Sequence, residues 1–118
     1  MFDHIYDVQL YQADTADDAT LRLISNLTEV LALDVAGTGI SNAGLKYVGK
    51  MTSLQELRLR NRQITDAGLA HLSELINLTH LDLSDTQTTG AGLACLERLP
   101  KLGELLLCGS ELSGAELA

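Results

Sequence analysis

Apolar and polar positions recur along this chain in steps of 24 residues. Val30, Leu54, Leu78 and Leu102 share one slot; Leu33, Leu57, Leu81 and Leu105 share the next; Val35, Leu59, Leu83 and Leu107 share a third. Ala43, Ala67, Ala91 and Ala115, then Leu45, Leu69, Leu93 and Leu117, keep the same frame. Self-similarity at a fixed period of this size marks a solenoid, in which each unit buries its apolar side against its neighbours. Within a unit, the alternation around Leu57 and Leu59 predicts a short strand. Leu69, Leu72 and Leu75 predict a short helix with one apolar face. Between strand and helix, Ile40 or Ile64 plugs inward, followed by a hydroxyl column of Ser41, Thr65, Thr89 and Ser113. That column stands where a helix needs an N-cap acceptor for its first amides. Gly44, Gly68 and Gly92 are poor helix formers, and their recurrence predicts close approach of neighbouring elements.

This frame divides a single domain, 1–118, into a degenerate first repeat or N-terminal cap (1–29), full repeats at 30–53, 54–77 and 78–101, and a last repeat at 102–118 that stops within its helix. In the first repeat Ile5, Val8 and Leu10 alternate as a strand would, although Val8 and Leu10 fall one residue early. Ala19, Leu21, Ile24 and Leu27 match Ala43, Leu45, Val48 and Met51 in register, while Thr20 occupies the glycine slot.

The motif LxxLxLxxxxITDAGLxxLxxL, intact from Leu54 to Leu75, resembles the leucine-rich-repeat family. It is similar to the bacterial 24-residue type and to the cysteine-containing repeats attached to F-box domains. The resemblance covers nearly the whole chain, from about Val8. It implies an α/β fold: a curved right-handed solenoid with parallel strands on the concave face, short helices on the convex face, and binding of a protein ligand. One departure concerns the family's turn position, usually Asn or Cys. Here it holds Gly37, Asn61, Asp85 and Gly109, which interrupts the side-chain ladder to the backbone that the position would carry.

Composition narrows the function. Hydrophobic residues make up 46% and charged residues 20%, as in a globular protein; aromatics are 3%, so leucine must fill the core. The formal charge of −8 repels phosphate backbones, so no nucleic-acid partner is expected. The N-terminal MFDHIYDVQLYQAD places acids where a signal peptide needs basic and then apolar residues. No apolar run approaches the roughly 20 residues that span a bilayer. A cytoplasmic location without a membrane partner is expected, unless the chain was cut from a longer secreted protein. In that setting the sequons at Asn26 and Asn77 stay unmodified.

Candidate chemistry is sparse. Gly37-Thr38-Gly39 follows an apolar strand, as a nucleotide loop would, but Asn42 stands where the third glycine belongs, so no cofactor is expected. Cys95 and Cys108 lack metal or redox spacing and fall on the helix side and the strand side, so both are expected as reduced thiols. His71 and Cys95 lie on adjacent helices, and two ligands do not make a zinc site. No Ser or Cys has an identifiable base, so the chain is expected to be non-catalytic.

The concave face is the candidate site. With leucines inward, outward columns run Ala32–Glu56–His80–Glu104, Asp34–Arg58–Asp82–Leu106 and Ala36–Arg60–Ser84–Cys108, with Thr38, Arg62, Thr86 and Ser110 on the turn side. Arg58 is expected between two aspartates and His80 between two glutamates. Alternating charges alone would serve solubility; the functional reading is that Arg58, Arg60 and Arg62 form a basic edge holding a partner's carboxylates. The protein-binding set is therefore Asp34, Glu56, Arg58, Arg60, Arg62, His80, Asp82, Glu104 and Leu106. Outward Leu106 and the end at GAELA leave an open C-terminal end, which implies either a weak homodimer or a fragment of a longer protein.

Overall fold

A computed structural model of the chain describes residues 7–10, 16–27 and 29–109. Ile5, Thr28, Ser110, Ser113, Ala115, Leu117 and the GAELA end, on which the self-association expectation depended, lie outside the described residues.

Five three-residue strands, β1 (Asp7–Gln9), β2 (Ala32–Asp34), β3 (Glu56–Arg58), β4 (His80–Asp82) and β5 (Glu104–Leu106), form one parallel sheet in chain order. Among the described residues four helices alternate with them: α1 (Asp18–Ile24), α2 (Asn42–Val48), α3 (Asp66–Leu69) and α4 (Gly90–Leu93). The last two continue as 3₁₀ turns, Ala70–Leu72 and Ala94–Arg98. Strand, helix and return repeat at the period of the sequence, as an α/β leucine-rich-repeat solenoid requires.

The strand register matches the columns read from the sequence: Leu33, Leu57, Leu81 and Leu105 are paired in line. Val8 pairs with Leu33, so the one-residue offset of the first repeat is real. Past each strand the pairing continues through Val35 N–H to Arg58 O (3.0 Å), Leu59 N–H to Asp82 O (2.8 Å) and Leu83 N–H to Leu106 O (2.8 Å). Each chain return is built from three-residue turns anchored on buried side chains: Met51 N–H donates to Val48 O, Leu75 N–H to Leu72 O and Leu99 N–H to Leu96 O. The three-residue spacing of the helix leucines suits these tight turns, since 3₁₀ geometry brings residues i and i+3 onto one line. The core is a stack of the repeated slots, with Leu54, Leu57, Leu59, Ile64, Leu69, Leu72 and Leu75 fully buried.

The hydroxyl column sits at the N-caps as expected, but its bonds differ from the expectation. Ser41 and Thr65 make no side-chain cap, and Thr89 accepts only a long bond from Ala91 N–H (3.3 Å). They bond instead to the first helical residue of the preceding repeat. Asp18 accepts from Ser41 N–H (2.8 Å) and Ser41 Oγ–H (2.6 Å); Asp66 does the same for Thr89. Asn42 takes the Thr65 N–H (2.9 Å) and donates to Thr65 Oγ1 (2.7 Å). The bonds from Ser41 and Thr89 to the aspartates are charge-assisted, whereas the Asn42–Thr65 pair links two neutral side chains. Among the described residues the first helix alone has a reciprocal cap: Asp17 accepts from Ala19 and Thr20 amides, and Thr20 Oγ1 accepts from Asp17 N–H.

The glycine column follows from this ladder. A Cβ on Gly44, Gly68 or Gly92 would strike the Asp18, Asn42 or Asp66 side chain and the leucine beside it. Thr20, in the first of these repeats, keeps its side chain and spends it on the Asp17 cap.

Candidate functional site

The candidate surface is the outer face of the sheet, positioned by strand alternation. Leu57 and Leu59 are buried, which turns Glu56, Arg58 and Arg60 outward. Parallel register then aligns Ala32, Glu56, His80 and Glu104 in one row and Asp34, Arg58, Asp82 and Leu106 in the next. Both rows are those read from the sequence. Arg62 lies beyond the strand in an exposed turn, where its carbonyl accepts from Gln87 Nε2 (2.7 Å).

The pairing of charges differs from the row order. Arg58 neighbours Asp34 and Asp82 in register, yet it forms no ion pair among the described residues. Arg60 does: its Nε lies 3.7 Å from Asp82 Oδ2 and its Nη2 3.7 Å from Asp85 Oδ2. Asp82 is also buried rather than exposed, at 7%. Its side chain folds back to accept from Ser84 N–H (2.9 Å), as Asp34 accepts from Ala36 N–H (3.1 Å). Of the three arginines expected to form a basic edge, Arg60 thus lies within ion-pair distance of two aspartates. His80 faces Glu104, Nε2 to Oε1 3.9 Å, and its Nδ1 lies 2.8 Å from Thr79 Oγ1.

Glu56, Leu57, Arg58, His80, Leu81, Asp82, Glu104 and Leu106 line one depression of about 50 Å³. Sites for drug-sized molecules usually run to roughly 300–1,000 Å³, so this volume suits one side-chain tip. A larger open groove, about 340 Å³, lies on the helix side over Ala70, Ser73, Ala94, Cys95 and Arg98. It exists because alanines leave the space between two 3₁₀ turns empty, and it has few convergent polar groups.

Cys95 on the helix side and Cys108 after β5 are free thiols. Among the described residues no group of His, Cys, Asp and Glu is arranged to hold a metal ion, and no helix is long and apolar enough to cross a membrane. Asn61, the one asparagine at the family's turn position, donates to Val35 O and Thr38 Oγ1 (both 3.3 Å). Asp85 in the same position has φ 61°, beside Gly37 and Gly109 at 71°.

A family model described as "Leucine Rich repeat" matches residues 50–73 and 74–96. Comparison with curated proteins gives no match. Among solved structures the chain is similar to internalin C2 of Listeria monocytogenes, with a TM-score of 0.74 and 20% identity over 92% of this chain and 54% of that one. It is also similar to an internalin, InlF, of the same species, with a TM-score of 0.67 and 24% identity over 76% of this chain and 25% of that one. The chain thus spans about half and about a quarter of the length of these two proteins. Repeats of this family serve in general as non-catalytic protein-interaction modules. With its period, its parallel sheet and two consecutive repeats matched by the family model, this chain has the leucine-rich-repeat fold and carries leucine-rich repeats at residues 50–96.

Proposed function

We propose that this chain is a non-catalytic module that binds a protein partner on the outer face of its sheet, in the cytoplasm. The observation that carries the reading is the depression over His80, bordered on three adjacent strands by Glu56, Arg58, Asp82, Glu104 and Leu106. The strands that present these side chains are paired with their neighbours in one sheet, so little ordering is needed on binding. Two free thiols favour a reducing compartment.

Filling the depression tests the reading whatever the partner's charge. His80→Trp places a large ring at its centre, while Glu97→Trp places one on the exposed helix side. Partners captured from the source organism's lysate should be lost with His80→Trp and kept with Glu97→Trp. Retention by both variants would exclude the sheet face.

A second reading, recruitment on behalf of a larger protein, draws support from the internalins, of which the chain spans only part. The reading frame around this sequence in its gene decides it: an adjoining catalytic or adaptor domain supports it, and flanking stop codons oppose it.

A further inference from the structure

We infer that the depression over His80 is a socket for the side chain of a lysine or arginine on the partner protein. This rests on the sheet-face reading above and supplies the partner's chemistry, opposite in charge to the carboxylates that the sequence suggested.

Charge is the first reason. Two carboxylates, Glu56 and Glu104, line the depression against one guanidinium, that of Arg58, while the third, Asp82, is buried and paired with Arg60. The neighbouring cation, Arg60, does not line the depression and lies 3.7 Å from both Asp82 and Asp85. Glu56 and Glu104 stand at the two ends of a row centred on His80, about 9.6 Å apart at the strand spacing. Among the described residues neither meets a lysine or arginine.

Shape is the second. A volume of about 50 Å³ takes one cationic tip. Leu106, 43% exposed, lies on the wall. It offers apolar surface to a methylene stem, as long basic side chains require.

Hydrogen bonding is the third. The Thr79 hydroxyl donates to Gln55 O (3.0 Å), so with its one proton used there it accepts from His80 Nδ1–H (2.8 Å). With a single ring proton on Nδ1, Nε2 is an acceptor, and it faces a second acceptor, Glu104 Oε1, at 3.9 Å. Two acceptors at that separation are satisfied by an N–H donor set beside them. An ammonium or guanidinium group supplies several such donors; a carboxylate supplies none.

The test uses the intact chain and three small probes that copy side-chain tips: n-propylguanidinium, n-butylammonium and butyrate. Each is titrated while backbone amide and imidazole nitrogen resonances are followed. The cationic probes should shift Glu56, His80, Glu104 and Leu106 at concentrations at least about fivefold below those that affect exposed Glu97. Glu56→Gln with Glu104→Gln, both surface changes, should raise the half-saturating concentration at least about fivefold. The free protein should carry the His80 proton on Nδ1. A proton on Nε2 overturns the inference, since His80 would then itself donate toward Glu104. Butyrate shifting the same rows would overturn it while leaving the sheet-face reading intact. Cationic probes that spread evenly over the acidic surface, or miss it, would overturn it too, and the capture comparison with His80→Trp decides the sheet-face reading separately.

Discussion

Asp18 in the first helix holds Ser41 of the next repeat twice, through the Ser41 backbone N–H at 2.8 Å and its hydroxyl at 2.6 Å. The same two-point clasp joins Asp66 to Thr89, and Asn42 reproduces it on Thr65 with one bond reversed. Together they run a polar ladder along the helix N-termini, on the solenoid edge where the family's asparagine ladder is incomplete.

If this clasp ties neighbouring repeats, Asp66→Ala should cost about 1–3 kcal/mol, because it strands the Thr89 amide. Asp66→Asn should recover most of the loss, since Asn42 does the same work one repeat earlier. Urea unfolding midpoints check both; an Ala variant with an unchanged midpoint would show that the clasp contributes nothing.

Gly68→Ala should destabilise by about 1–3 kcal/mol despite alanine's better helix propensity, because its Cβ meets Asn42 Oδ1 and Leu45 Cδ1. Gly90→Ala should do the opposite, gaining up to about 1 kcal/mol, because a Cβ there meets nothing within 4 Å. Thermal melts of the two variants should shift in opposite directions. Equal shifts would mean that the glycines matter only through chain entropy.

At the left-handed turn position, Asp85→Gly should be neutral or stabilising. It relieves a φ of 61° on a non-glycine residue, worth about 1–2 kcal/mol, and gives up only an exposed contact with Arg60, worth below about 1 kcal/mol. Gly37→Val imposes a branched side chain at φ 71° and should cost more than about 1 kcal/mol. Denaturant melts showing Asp85→Gly as the more damaging change would point to the Arg60 contact instead.

Mild oxidation should give a disulfide-linked dimer through exposed Cys108, and no internal disulfide with Cys95. Cys108→Ser should stay monomeric on a non-reducing gel. An internal bridge found by mass spectrometry would contradict the placement of the two thiols on opposite sides.

The rows of the site are legible in the sequence because two periods suffice to draw them. A 24-residue repeat stacks Glu56 on His80 and on Glu104, and strand alternation sends them outward once Leu57 and Leu81 are inside. The same arithmetic showed that Val8 sits one residue early. The glycine column was readable as close approach, though not what approaches.

What periodicity left undecided is side-chain reach. Asp82 and Arg58 share a row, but Arg60 takes the Asp82 carboxylate from the next position along its strand and covers it. The hydroxyl of Ser41 could cap its own helix, and only the packing of one helix on the next puts the Asp18 carboxylate beside it. A repeat sequence determines which residues are neighbours, because burial of one apolar stripe per unit admits a single register. Which of several polar neighbours a side chain chooses depends on distances of an ångström or two and on competing donors, and those exist only once the units are stacked.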